Sequence, residues 1–384
     1  MKQRKSLSAT LSRRSWLVLA SSALSGCGGG GGVSSLLASV PGTGGTGIYQ
    51  GSISGFGSVI VNGVTYDNSQ AVMRLNDVVV SQDKLRLGMV ATVKGDRVAG
   101  ATLGTASQIE VWSIAQGVVT EASSDHFEVA GMSILTSSAT WFYGSSTGTS
   151  VSKGNYVSVW GLQSDKEGHS WTASCVVVSA VATDAVSSGT VKVDNRQRTL
   201  NGLLLTGAVA DGLTEGALVR VQGTWSSESS LKVVSTKVID SGVVALPQAD
   251  VEIEGLVTTV PTASGFMLGS ITVEATPGIY SPAGAVITQG ARVEVYGSWV
   301  GGVLKATKVE LEDPFVSTVI EIKAMFQEFT SLGNFVLQGQ RCDASGVTLS
   351  QSTTAALPKS GAVFKVKGIK IGDLLKITEM ALDH

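Results

Sequence analysis

From about residue 48 onward the chain alternates apolar and polar residues with a period of two, the pattern of strands with one face inward and one outward. The alternation is clearest between two glycines. Five segments share this form: Gly88-Met-Val-Ala-Thr-Val-Lys-Gly95, Gly154-Asn-Tyr-Val-Ser-Val-Trp-Gly161, Gly216-Ala-Leu-Val-Arg-Val-Gln-Gly223, Gly290-Ala-Arg-Val-Glu-Val-Tyr-Gly297 and Gly361-Ala-Val-Phe-Lys-Val-Lys-Gly368. The two glycines stand 7 residues apart in every copy. In four of them an apolar pair marks the inward face: Val157 with Val159, Val219 with Val221, Val293 with Val295, and Phe364 with Val366. Ser158, Arg220, Glu294 and Lys365 lie between them and are expected to meet water.

Other strand signals recur around each segment. A first strand is expected to start near Gly51, Gly117, Gly189 and Gly255, with Ile320-Glu-Ile-Lys323 in that place in the fifth copy. Asn62-Gly63 and Asn201-Gly202, set between apolar alternations, predict two-residue hairpin turns, and Gly131, Gly269 and Gly339 occupy the equivalent positions. A polar connector follows, such as Ser81-Gln-Asp-Lys-Leu85, with room for one helical turn. The glycine-bounded strand and a last strand complete the unit, as in Ala306-Thr-Lys-Val-Glu-Leu311. About five strands in a period of about 70 residues suits a small OB-like barrel, whose closure removes exposed edges. The expected fold is all-β: a tandem array of five small OB-like antiparallel barrels at 48–113, 114–182, 183–241, 249–313 and 315–384.

Composition agrees. Of 384 residues, 47 are Gly and 7 Pro, with 15% charged, and strong helix-forming runs are nearly absent after the N-terminus. A net charge of −2 offers no basic excess for duplex binding, so no nucleic-acid partner is expected. Cys175 and Cys342 lie in different repeats and are expected to be small buried apolar residues.

The N-terminus differs in kind. Basic residues in Met1–Lys5, a second pair at Arg13-Arg14 and the short apolar Trp16-Leu-Val-Leu-Ala20 form a signal peptide over 1–26, too short for a lasting membrane span. Ser12-Arg13-Arg14-Ser15-Trp16-Leu17 is compatible with twin-arginine export as well as with the general route. Leu24-Ser25-Gly26-Cys27 resembles the bacterial lipobox. That resemblance implies cleavage after Gly26, a lipid-bearing Cys27 and stable anchoring through several acyl chains. Gly28 stands where an inner-membrane retention signal would place Asp, which favours the outer membrane, with either face open. Residues 27–47 then read as the lipidated cysteine and a Gly-rich tether.

The first copy sharpens the comparison. Gly51-Ser-Ile-Ser-Gly-Phe-Gly-Ser-Val-Ile-Val-Asn-Gly-Val-Thr-Tyr-Asp67 with Leu85-Arg-Leu-Gly-Met-Val-Ala-Thr-Val-Lys-Gly95 resembles a repeat of proteobacterial lipoproteins classed as a domain of unknown function (the 5666 type). The likeness is close over 48–112 and looser in copies two to five, which lack Gly-Phe-Gly-Ser. It implies an anchored protein of tandem small β domains and supplies no catalytic residues.

Candidate chemistry is sparse. Gly144-Ser-Ser146-Thr-Gly148 matches a nucleophile-elbow pattern but precedes a polar connector rather than a helix, and only His169 and His384 follow it as bases. His126, His169 and His384 have no partners at metal-ligand spacing, so neither metal nor cofactor is expected. Asp67-Asn68 and Asn76-Asp77 read as turns. Trp160 and Tyr296 share the position before the closing glycine, and Trp225 and Trp299 share the second position after it. These four are candidate binding residues that would stack on a glycan or dock an envelope protein. The plainer expectation for them is packing of one repeat on the next. The expected function is a membrane-anchored binding or scaffold lipoprotein, not an enzyme. The alternatives are an envelope hydrolase using Ser146 and a passive spacer.

Overall fold

The structure is a computed structural model that describes residues 46–98, 100–145, 150–227, 229–239, 250–312, 319–357 and 361–383. The signal peptide, Cys27 and nearly all of the tether lie outside the described residues, as do Ser146 and His384. Residues from Thr43 onward belong to one compact unit.

The chain is nearly all β and builds small closed five-stranded barrels. In the first copy the five strands are Thr46–Phe56, Val59–Val61, Val64–Asp67, Val90–Arg97 and Leu103–Val111. The first pairs the second, the second the third, the fifth the fourth and the fourth the first, all antiparallel. The third pairs the fifth in parallel. The expected OB-like antiparallel barrel is thus closed by one parallel pairing, for a simple reason. A ring with an odd number of strands cannot alternate direction all the way round. The second and fifth copies close in the same order. The third does so through a bent first strand, Asp184–Thr190 continuing as Lys192–Asp194. In the fourth, the first and second strands meet through the single bridge Val257 to Leu268.

Both glycines of the repeated segment have a structural cause. The opening glycine, at 88, 154, 216, 290 and 361, has φ between +77° and +88° in all five copies, a left-handed conformation that costs any side chain energy. The closing glycine, at 95, 161, 223, 297 and 368, sits at a register shift between the fourth and fifth strands. A Cβ there would stand 2.0 Å from the Thr105 carbonyl oxygen in the first copy and 2.2 Å from that of Thr172 in the second. The bulge bends the strand so that the sheet curls shut. The constant interval of 7 is therefore the distance from turn to bulge.

The hairpin turns form as the Asn-Gly pairs predict: Val61 opposes Val64 and Leu200 opposes Leu203, with Asn62 and Asn201 both at positive φ. The first-strand glycines are placed differently from expectation. Gly51 and Gly189 lie inside their strands, not at the start. The turn asparagine folds back over each of them: Asn62 Nδ2 donates to the Gln50 carbonyl at 3.1 Å and Asn201 Nδ2 to that of Ser188 at 2.8 Å. Any side chain at these glycines would collide with that amide. The polar connector of the first copy contains one 3-10 turn, Gln82–Lys84.

Gly161→Ala should lower stability by about 1–3 kcal/mol through overpacking against backbone. Gly154→Ala, with nothing within 4 Å of the added carbon, should cost only the conformational strain of about 1–2 kcal/mol. Urea unfolding midpoints of the two variants measure both, and a Gly161→Ala variant as stable as wild type would contradict the close backbone contact.

Candidate functional site

The inward face of each fourth strand is as expected. Val157 and Val159 fill the core of the second barrel, Val219 and Val221 that of the third, and Val293 and Val295 that of the fourth. The outward face is not. Arg220 is 5% exposed and Glu294 6%, although alternation placed both toward water. Lys365 does meet water, and pairs with Glu321 at 2.7 Å. The correction has one cause: alternation separates the two faces of a strand, and another barrel covers the outer face of these two.

The first barrel touches all four others. The second barrel reaches it through Tyr143, whose hydroxyl donates to the Leu87 carbonyl at 3.4 Å, with the Arg86 guanidinium 6.0 Å from the ring centroid. The third contributes Arg220, whose Nε donates to the Ser113 carbonyl at 2.6 Å and whose Nη2 donates to Asn76 Oδ1 at 3.0 Å. The fourth pairs strand to strand, with Ile48, Tyr49 and Gln50 running parallel to Val251, Glu252 and Ile253. The fifth adds Glu321 and Ile322 beside Gly55 and Phe56, and Gln338 Nε2 donates to the Gln82 carbonyl at 2.5 Å. The first and fifth barrels share one hydrophobic cluster, which also takes in Trp141, Tyr143, Trp160 and Cys175 of the second.

The four candidate aromatics do not meet at one surface. Trp160 points away from its own barrel core, as its parity predicts, and is buried at 3% exposure in the cluster around the first barrel. Tyr296 is half-buried, and its hydroxyl donates to Glu294 Oε2 at 2.7 Å. Trp225 packs against the cores of both the second and third barrels. Trp299 lies in the core of its own barrel, so its repeat position does not share the environment of Trp225. Packing of repeat on repeat accounts for Trp160 and Trp225.

Two charged clusters were not legible in the sequence. In the first, Arg220 stacks 5.2 Å from the centroid of Trp112, and Lys237 Nζ stands 3.6 Å from that centroid. Lys237 also pairs with Glu110 at 3.7 Å. Burial pulls the Arg220 guanidinium down to about 10, with Asp77 opposing the shift, so it remains charged at neutral pH. Asn76, read as a turn residue, is that and also the acceptor for Arg220 and for the Ser113 amide at 2.9 Å.

The second cluster lies between the first and fourth barrels. Glu252, 1% exposed, forms an ion pair with Arg97, and the Arg97 guanidinium lies 4.8 Å from the Tyr49 ring centroid. Glu254 forms an ion pair with Arg292 and accepts from the Ser52 amide at 2.8 Å across the seam. The stretch Val251-Glu252-Ile253-Glu254 looks like an ordinary half-exposed strand, so no sequence signal distinguishes buried glutamates from wet ones.

Chemistry elsewhere is slight. Ser123, Asp125 and His126 lie together, with Ser123 Oγ 2.7 Å and Asp125 Oδ1 3.0 Å from His126 Nδ1. Both neighbours use the same ring nitrogen, so the imidazole cannot relay a proton from serine to carboxylate as a triad does. Cys175 and Cys342 are free and buried, and burial pushes both thiols up, away from nucleophilic reactivity. Among the described residues no group of three or more His, Cys, Asp or Glu is arranged to hold a metal ion.

Residues 116–176 and 254–310 match the family described as a domain of unknown function (DUF5666). These stretches fall in the second and fourth barrels. The first copy, whose Gly-Phe-Gly-Ser suggested the likeness, lies outside the matched residues. No curated protein matches the chain.

If Trp160 serves packing, Trp160→Ala should cost about 3–5 kcal/mol, the range for deleting a buried tryptophan. Chemical denaturation measures this. A loss under 1 kcal/mol would return Trp160 to the list of binding residues.

Proposed function

We propose that this chain is a lipid-anchored scaffold of the bacterial cell envelope, with Cys27 as the lipid-bearing residue. The observation that carries this reading is Leu24-Ser25-Gly26-Cys27, placed after a basic stretch and a short apolar run and before five successive glycines. Its support is the order of parts along the chain. The first strand begins at Thr46, with 18 residues between it and Cys27. A flexible segment of that length spans about 25 Å on average, enough to hold a folded body clear of the headgroups. Gly28 directly after the cysteine favours outer-membrane sorting, on either face.

Scaffolding is preferred to recognition through an aromatic platform, because Trp160 and Trp225 are engaged between barrels. An envelope protein or a glycan would then meet the outer surface that the barrels leave uncovered. Clustering around the first barrel also bears on the spacer alternative. Removing one copy would expose its partners' faces instead of shortening a row.

Cys27→Ser should move the protein from the membrane pellet to the soluble envelope fraction. Mass spectrometry of the wild-type N-terminal peptide should show acyl chains on Cys27. Membrane retention of the variant, together with an unmodified wild-type cysteine, would overturn the proposal.

A further inference from the structure

The seam between the first and fourth barrels brings together three carboxylates and two guanidinium groups. Glu252 is paired with Arg97 and Glu254 with Arg292. Glu294 has no cation within ion-pair distance among the described residues. It stands directly across the strand pair from Glu254, on the same face as Glu252. Its Oε2 accepts from Tyr296, and its Oε1 is buried without a hydrogen bond among the described residues. The Tyr66 hydroxyl and Ser52 Oγ, on the first barrel's side, are buried in the same condition. A negative charge left unpaired in such a place is costly, and a carboxyl group escapes the cost by taking a proton.

We propose that the seam between the first and fourth barrels is a proton-loaded latch: closing it places a solvent proton on the Glu294 carboxyl, and opening it returns that proton to water. No bond other than O–H forms or breaks. The Glu252 carboxylate, on the same face and paired with Arg97, adds the nearby negative charge that favours the protonated acid.

The groups around Glu294 come from three strands of its own barrel and from the first barrel. Strand Asp250–Leu256 presents Glu252 and Glu254, and strand Val303–Leu311 presents Glu310, which carries Lys308 at 2.5 Å, with Glu312 just beyond. Its own strand presents Tyr296 and Arg292. The first barrel presents Tyr66, Tyr49 and Arg97. Burial, then the Glu252 carboxylate, push Glu294 up to about 9, against the pull of the Tyr296 hydrogen bond. Burial, then Glu254, push Glu312 up as well.

The sign follows from linkage. In the open seam Glu294 is hydrated and titrates as an ordinary glutamate near 4.5. Its folded value is raised, so its contribution to closure is complete below the ordinary value and is lost as pH rises through about 9. Between those limits the closed form holds one more proton, and the closing constant falls about tenfold per pH unit.

The Ser52 amide, bonded across the seam to Glu254, reports opening directly. In the full chain its hydrogen-exchange protection, corrected for intrinsic rates, should fall about tenfold per unit from pH 6 to 9. The Ser188 amide, in the seam between the second and third barrels, is the internal control and should not follow. Glu294→Gln mimics the protonated acid and should make the Ser52 profile flat. A flat wild-type profile, or a variant that keeps the wild-type slope, overturns the latch. If the variant does not fold, infrared difference spectra of the wild-type chain decide. A protonated carboxyl band at neutral pH that disappears by about pH 10 supports the proposal, and no such band overturns it.

Discussion

Everything in this molecule depends on closing a very small barrel. Five strands must curl through a full circle within about 65 residues, and in every copy a register shift falls where the fourth strand meets the fifth. There the closing glycine admits an extra residue on the partner strand, and no side chain fits between the two backbones. The opening glycine, seven residues earlier, sets the turn into the same strand. Between these two points only a few side chains face inward. The cluster of nine buried residues in the third barrel is a small core for an independent domain.

The outer faces supply what such cores lack. The first barrel lends its surface to each of the others, through a different device each time: aromatic packing for the second, a buried guanidinium for the third, parallel strand pairing with ion pairs for the fourth, and a shared core for the fifth. Inward residues recur from copy to copy, whereas the outward residue between them is Ser158, Arg220, Glu294 or Lys365. These differ because their surroundings differ. Buried charges are a poor source of net stability, but they penalise any docking that leaves them unpaired. Arg220 meets the Ser113 carbonyl and Asn76 only when the third barrel sits on the first.

Much of the fold was legible. Period two separated inward from outward positions, the Asn-Gly pairs placed two hairpins, and the interval of seven marked one strand in five copies. The candidate site was less legible, for a physical reason. Alternation reports that a face points out of its own barrel; it carries no information on what stands opposite. Arg220 and Glu294 therefore looked like wet residues, and Trp160 like a possible platform. The first-strand glycines were read as strand starts because a glycine usually marks a turn. Here they make room for the asparagine of the neighbouring hairpin.

Local order along the chain determined the five barrels, their strand order and the turn chemistry, because those depend on neighbours within about 70 residues. It also carries the lipobox resemblance of Leu24-Ser25-Gly26-Cys27, on which the proposed lipid anchor rests. Only the tertiary structure decided how the barrels share their surfaces. The partners Arg97 and Glu252 are separated by two whole repeats, and Arg220 and Asn76 by one. Burial of those groups, and with it their charge state, arises when two barrels exclude water between them.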